Sequence, residues 1–215
     1  MTTRLDIISD PICPWCYIGK AKLDRAMAEA GNPFEITWRP FQLNPDMAAG
    51  GMDRREYLEN KFGKERATSF YAQIEAAAVE AGLDVDFAKI ARTPNTVDAH
   101  RLIRWSHSTG NQTALVSLLF QAYFRDGRDI SDHAVLLDVA EAAGMERDVV
   151  ARLLEGDADR EAVIAEDAQA REMGVSGVPT FIIGGKYAVQ GAQDAATWAK
   201  IIADIGDATS RLNAG

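Results

Sequence analysis

Apolar and polar positions along the chain change period five times. Leu5, Ile7 and Ile8 form a short apolar run that predicts a buried strand over residues 4–9. From Cys16 onward, Leu23, Met27 and Ala30 recur at seven, eleven and fourteen residues. That spacing defines one helix face and predicts a helix from Pro14 to Ala30, stopped by Gly31-Asn32-Pro33. Phe34, Ile36 and Trp38 then alternate with Glu35, Thr37 and Arg39, predicting a second strand that ends at Pro40. Two strands joined through a helix pair most readily in parallel, and ligands gather at the C-terminal ends of such strands.

Between about Asp53 and Met173 the strand period nearly vanishes and helical periodicity replaces it. Asp53 with Glu56 forms a capping pair for a segment with Phe70, Ile74 and Ala77 on one face, closed by Gly82. Asn95 or Thr96 opens the next helix. Leu102 and Ile103, then Leu115, Leu118, Leu119 and Ala122, give two apolar faces separated by Thr109-Gly110. Ser131 is expected to cap a helix ending at Gly144, a shorter one ends near Gly156, and Asp157 or Asp159 starts a last one ending at Gly174.

After Gly174 the strand signal returns. Phe181-Ile182-Ile183, a two-residue Gly184-Gly185 turn and Lys186-Tyr187-Ala188-Val189 predict a β-hairpin, followed by a helix from about Asp194 through Trp198, Ile201 and Ile205. The pattern describes an α/β domain of residues 1–50 and 158–215 interrupted by an inserted helical domain of residues 51–157. Trp38, Trp105 and Trp198 read as core.

Both cysteines of the chain fall in Cys13-Pro14-Trp15-Cys16, at the mouth of the first helix. Pro14 suits the first helical position, where its missing N–H would be unpaired anyway, so Cys13 sits at the cap and Cys16 in the first turn. Unpaired N–H groups and the helix dipole stabilise a thiolate there. A free cysteine of pKa about 8.5 is only about 3% thiolate at neutral pH, so this environment decides whether the sulfur is a nucleophile. The face containing Cys16 is the apolar one. Cys16 is therefore expected buried and Cys13 exposed, with Cys13 attacking and Cys16 resolving the mixed disulfide. A structural zinc site wants four ligands, and beyond this pair the chain has no further cysteine and only His100, His107 and His133; His100 and His107 lie about 10 Å apart along a helix, too far to share a metal without a third element, and suit surface or capping roles.

Composition narrows the setting. The chain has 215 residues, 47% hydrophobic and 26% charged, which is ordinary for a soluble globular protein. Its net charge of −9 argues against a nucleic-acid-binding surface. Met1-Thr2-Thr3-Arg4 opens without an apolar signal segment and no stretch reaches membrane-spanning length, so the expected location is cytoplasmic. There a cysteine pair is more readily catalytic than structural. Val178-Pro179 places a proline at a strand entry. By itself that segment reads as an ordinary trans proline; a cis bond would turn the Val178 backbone outward as an edge for an extended peptide.

The C-P-W-C pair after a first strand, the helical insertion and Gly177-Val178-Pro179-Thr180 before a hairpin resemble the thioredoxin fold with a DsbA-type inserted helical domain. Ser9-Asp10, Trp38-Arg39-Pro40-Phe41, Asn95-Thr96 with Ala99-His100-Arg101-Leu102, Leu119 to Phe124 and Gly174 to Phe181 resemble the FrnE subgroup of that family. The resemblance implies thiol–disulfide exchange with a substrate protein or a low-molecular-weight thiol. It places cis-Pro179 beside the sulfurs and the Val178 backbone against the substrate, with Pro14 and Trp15 tuning the pair. Trp15 stands where a periplasmic oxidant of this fold carries histidine, so a milder potential is expected. Glutathione-dependent 2-hydroxychromene-2-carboxylate isomerases and kappa-class glutathione transferases are similar in layout but typically carry serine at the Cys13 position. That likeness implies glutathione as a possible co-substrate, held in part by Gln193 and Asp194. Asp194 also reads as a plain helix cap. A third class, a binding protein using the cleft between the lobes, would not need the sulfurs. The residues leave the oligomeric state open.

Overall fold

The computed structural model describes residues 2–213, with backbone alone for 64–70 and 208–213. Strand β1 (Thr3–Ser9) leads through Asp10 to Cys13 into helix α1 (Pro14–Ala30), and β2 (Phe34–Pro40) returns parallel to β1, with Thr3 opposite Phe34 and Ser9 opposite Pro40. These elements lie where the apolar pattern places them. On α1, Leu23 is buried and Met27 partly so, but Ala30 is exposed and Ala26 takes the last buried place on that face.

A two-residue strand β3 (Met52–Asp53) opens the helical stretch. The helix expected from Asp53 to Gly82 is two helices, α2 (Arg54–Phe62) and α3 (Lys64–Glu80). Gly63, at φ +76°, ends α2, a backbone state that glycine enters without a Cβ penalty. The Asp53 carboxylate accepts from the N–H groups of Arg55 and Glu56, as the capping pair predicts. Ile74 is buried and Ala77 partly so, whereas Phe70's side chain lies outside the described residues.

A short β4 (Arg92–Thr93) pairs with β3 and precedes α4 (Val97–Ser106) and α5 (Gln112–Phe120), which runs on into a π-helical turn, Gln121–Arg125. Then come α6 (His133–Ala142), α7 (Arg147–Glu155) and α8 (Arg160–Glu172). Asp132, not Ser131, caps α6, accepting from Ala134 N; Ser131 bonds Asp129 instead. Strands β5 (Thr180–Ile183) and β6 (Tyr187–Gln190) form the hairpin, and α9 (Ala195–Asn213) ends the described chain. Gly184 and Gly185 both take positive φ, and Lys186 joins them in a three-residue loop because Ile183 pairs with Tyr187.

The four-stranded sheet has the order β2-β1-β5-β6, with β1 and β5 antiparallel. The outer edge of β2 is covered: Gln112 accepts from Trp38 N at 2.8 Å and donates to Trp38 O at 3.2 Å, much as a neighbouring strand would. Helix α1 is locked to the helical stretch by Tyr17, which stacks on Phe120 at 5.0 Å and on Phe124 at 5.8 Å. Trp38 and Trp198 are core as expected. Trp105 is only partly buried, because its indole N–H donates to Asp159.

Arg101 is fully buried on α4 and donates to the carbonyls of Leu153, Gly156 and Ala158 and to Asp98. It fixes the α7–α8 connection against α4. Arg101→Met keeps the volume but removes a buried donor from three backbone carbonyls and from Asp98, which keeps Arg160 and His133, so it should cost about 2–4 kcal/mol. The urea midpoint should fall with an unchanged m-value.

Candidate functional site

Helix α1 starts at Pro14, with Cys13 at its N-cap in extended conformation. The turn before it is closed by Cys13 N donating to Asp10 O at 2.9 Å, and Cys16 N donates to Cys13 O at 3.1 Å. Both cysteines are free thiols, and both are buried: Cys13 is 3% exposed and Cys16 1%. The expected exposure of Cys13 is therefore corrected. The loop carrying Val178, from the far end of the sequence, lies over it, and the Cys13 thiol donates to Val178 O at 3.6 Å.

The Val178–Pro179 bond is cis, as the family resemblance implies and the segment alone does not. Thr180 Oγ1 donates to Gly177 O at 2.8 Å and Gly191 N to Pro179 O at 2.8 Å, which hold the loop from both ends. Gly19 on α1 faces Pro179, and a Cβ there would come within 3.1 Å of its ring. An isolated glycine inside a helical pattern was the available sign of this close approach. Pro14 and Trp15 are partly buried at the rim of the pair.

Burial pushes the Cys16 thiol well above the usual range, and the adjoining Cys13 sulfur adds to the shift. The Ser9 hydroxyl and the Asp10 backbone N–H oppose it in part. Cys16 is thus held as a neutral thiol against the Cys13 sulfur.

A second cluster, not singled out by the sequence reading, supports the turn. Asp10 is fully buried where β1 ends; its carboxylate accepts from Ile12 N at 3.2 Å and from Leu43 N at 2.7 Å. His100 on α4 is also buried, correcting the surface or capping role; its Nε2 donates to Phe41 O at 3.2 Å and lies 4.0 Å from Asp10. Asp167 on α8 accepts from Gln42 N at 2.8 Å. Three acid and imidazole groups from three elements so hold the loop after β2. Only the tertiary fold brings them together.

Gln193 and Asp194 lie beyond β6. Gln193 Nε2 donates to Gln190 O, and Asp194 accepts from Thr197 N at 2.6 Å, which holds its carboxyl below the usual range as a helix cap. His107 and His133 are exposed, and His133 meets Asp98 at 3.1 Å. Among the described residues no three His, Cys, Asp or Glu side chains converge as a metal site, and no helix is long and apolar enough to cross a membrane.

A parallel β-α-β unit with a C-x-x-C pair at its helix mouth, a cis-proline loop over the pair and helices inserted before the hairpin define a DsbA-like thioredoxin fold. The family model for the DSBA-like thioredoxin domain matches residues 4–203. The chain belongs to that family. It is 30% identical to a "probable DsbA oxidoreductase SCO1869" from Streptomyces coelicolor, with a TM-score of 0.85 over 94% of this chain and 89% of that one. A 2-hydroxychromene-2-carboxylate isomerase shares the fold at 17% identity, TM-score 0.69, covering 98% of both chains. The cytosolic disulfide reductase DsbM from Pseudomonas aeruginosa with GSH does so at 17% identity and TM-score 0.63, over 97% of this chain and 99% of that one.

The buried Asp10–His100 pair sets a pH signature. Burial pushes Asp10 up to about 7, against the N–H groups of Leu43 and Ile12, and Asp167 adds to the rise. Burial likewise pushes His100 down to about 4, opposed by Phe41 O and Asp167. Between about pH 4 and 6.5 the folded pair is a protonated carboxyl and a neutral imidazole. Unfolded, it is a carboxylate and an imidazolium. Both states hold one proton, so the two slopes cancel. Asp10→Asn leaves the depressed His100, and stability relative to wild type should fall by about 1.4 kcal/mol per unit as pH drops from 6.5 toward 4. His100→Gln leaves the raised Asp10, and the slope reverses: stability should fall as pH rises from 4 to 7. Urea titrations of the three proteins across this range check both signs.

Proposed function

We propose that this chain is a cytoplasmic thiol–disulfide oxidoreductase of the FrnE type, acting on disulfides of polypeptides or of low-molecular-weight thiols. The observation that carries this reading is the Cys13 thiol 3.6 Å from the carbonyl of Val178, beside cis-Pro179, with Cys16 one turn below it. Cys13 stands at the N-cap of α1, the positive end of the helix dipole, and α1 carries no acidic residue in its first turn to offset that field.

The exchange follows from the two different environments. The Cys13 thiolate attacks a substrate disulfide, forming a Cys13–substrate disulfide and expelling the other substrate sulfur as a thiolate, which takes up a proton. Cys16 then loses its proton and attacks Cys13 Sγ; the mixed disulfide breaks and the second substrate thiol leaves. Two electrons pass from the cysteine pair to the substrate, and the reverse sequence oxidises a dithiol. The Val178 backbone aligns the substrate chain as it would a strand neighbour. Both electrons reside on the sulfurs, so exchange itself calls for no further cofactor. Glutathione fits the part of recycling co-substrate, with Gln193 and Asp194 as its candidate contacts. The sulfur of Cys13, in place of the serine hydroxyl of the isomerase relatives, favours exchange over isomerisation.

Cys13→Ser should abolish exchange, while Cys16→Ser should still react once and accumulate the mixed disulfide, seen as a mass adduct. In graded glutathione buffers, with free thiols trapped by alkylation, Cys13 and Cys16 should titrate together as one two-electron couple. With tryptophan at position 15, the potential should be more negative than about −120 mV; a value that positive would overturn the assignment of a mild couple. A stable glutathione adduct on Cys13 alone would overturn the exchange mechanism.

A further inference from the structure

Beside the site, the segment after β2 and helix α2 enclose an open trough of about 630 Å³. Its near end is Leu43, whose N–H is bound by Asp10, the residue that closes the turn onto Cys13. Leu43 and Val178 pack on the same apolar cluster of Ile8, Phe41, Ala170 and Val175. The trough therefore starts next to the edge where a substrate chain would pass the sulfur. Leu43, Met47 and Met52 make its wall apolar, and methionine side chains re-pack around varied partners.

Its far wall carries a cation, Lys61, on a protein whose net charge is −9. Lys61 Nζ donates to Tyr57 OH at 2.6 Å and to Asn44 Oδ1 at 3.4 Å, and sits 5.1 Å from the centre of the Tyr57 ring. Behind this wall, outside the trough's lining, the Arg54 guanidinium lies 5.6 Å from the same ring on a residue 8% exposed. Arg54 bonds the neutral hydroxyls of Thr93 and Tyr71, and neither Arg54 nor Lys61 makes an ion pair among the described residues. A buried cation without an anion is costly and strengthens any anion brought near it. Asn44 Nδ2, also at this wall, is a buried amide donor without a partner. Asp46 is the trough's one acidic lining residue among those described.

We propose that the trough docks an extended segment of the substrate polypeptide, apolar near the reacting cysteine and carrying an acidic side chain that meets Lys61, Tyr57 and Asn44. This inference rests on the oxidoreductase reading and adds a specificity to it. The field of the whole protein repels an acidic chain, so any preference for one has to arise locally.

The test uses the reduced full-length protein in single turnover with peptides whose one cysteine is a mixed disulfide with 2-mercaptoethanol. Each peptide carries Leu plus Glu, Gln or Lys at increasing distance on either side of the cysteine. Every rate is divided by that of 2-hydroxyethyl disulfide on the same protein. Glu should exceed Gln by about three- to tenfold at one spacing, Lys61→Gln should erase that preference, and Lys61→Glu should invert it toward Lys. If 2-hydroxyethyl disulfide reacts but Glu is never preferred, or is preferred equally at every spacing, docking in the trough is overturned and exchange stands. If glutathione disulfide shows the whole Lys61 dependence and the peptides none, the occupant is a small thiol and the polypeptide assignment falls. If neither the peptides nor 2-hydroxyethyl disulfide react, both readings fall.

Discussion

A carboxylate with no access to water stands at the centre of this site. Asp10 ends β1, accepts the N–H groups of Ile12 and Leu43, and through its carbonyl receives Cys13 N. One residue thus sets the turn that positions the cysteine pair and the loop that follows the neighbouring strand. Those N–H groups satisfy it in its buried place, while His100 from α4 and Asp167 from α8 hold the rest of the same loop, bonding Phe41 O and Gln42 N. The inserted helices are, in this sense, part of the site's foundation as well as its roof.

The same economy of burial separates the two sulfurs. Cys16 has its thiol among Ser9, Asp10 and Cys13 under α1, where ionisation is opposed. Cys13 has the helix mouth on one side and the Val178 carbonyl on the other. The glycine at position 19 lets Pro179 settle against α1, so the loop reaches the sulfur without displacing the helix. The stack of Tyr17 on Phe120 and Phe124 carries that helix against the helical stretch, so sheet, helix and insertion share one core.

Charge is distributed unevenly around this core. Most arginines are held by carboxylates, as with Arg39 on Asp6 and Arg104 on Asp159. Arg54 and Lys61, flanking one tyrosine, are not. The surface beside the sulfurs therefore differs from the acidic remainder of the molecule, and it is built by α2 and the segment after β2, outside the sheet.

Local pattern alone determined β1, α1, β2, the hairpin and the sequence of helices, because the period of apolar residues, proline and glycine act within a few positions. It also marked Cys13 and Cys16 as the candidate pair, since a proline-started helix after a strand defines a helix mouth wherever it packs. Tertiary structure decided the rest. The burial of Cys13 depends on a loop 165 positions away in the chain, and its contact with Val178 is a long-range one. The break at Gly63 separated what periodicity joined, because a glycine can leave the helix where the next segment packs elsewhere. His100 read as a surface group and proved buried, since a helix face shows only that it is apolar or polar, not which carbonyl and carboxylate wait opposite. Asp10 was legible as a residue before the cysteines, but its role arises from N–H groups on both sides of a turn and a second strand's loop, which no spacing in one dimension encodes.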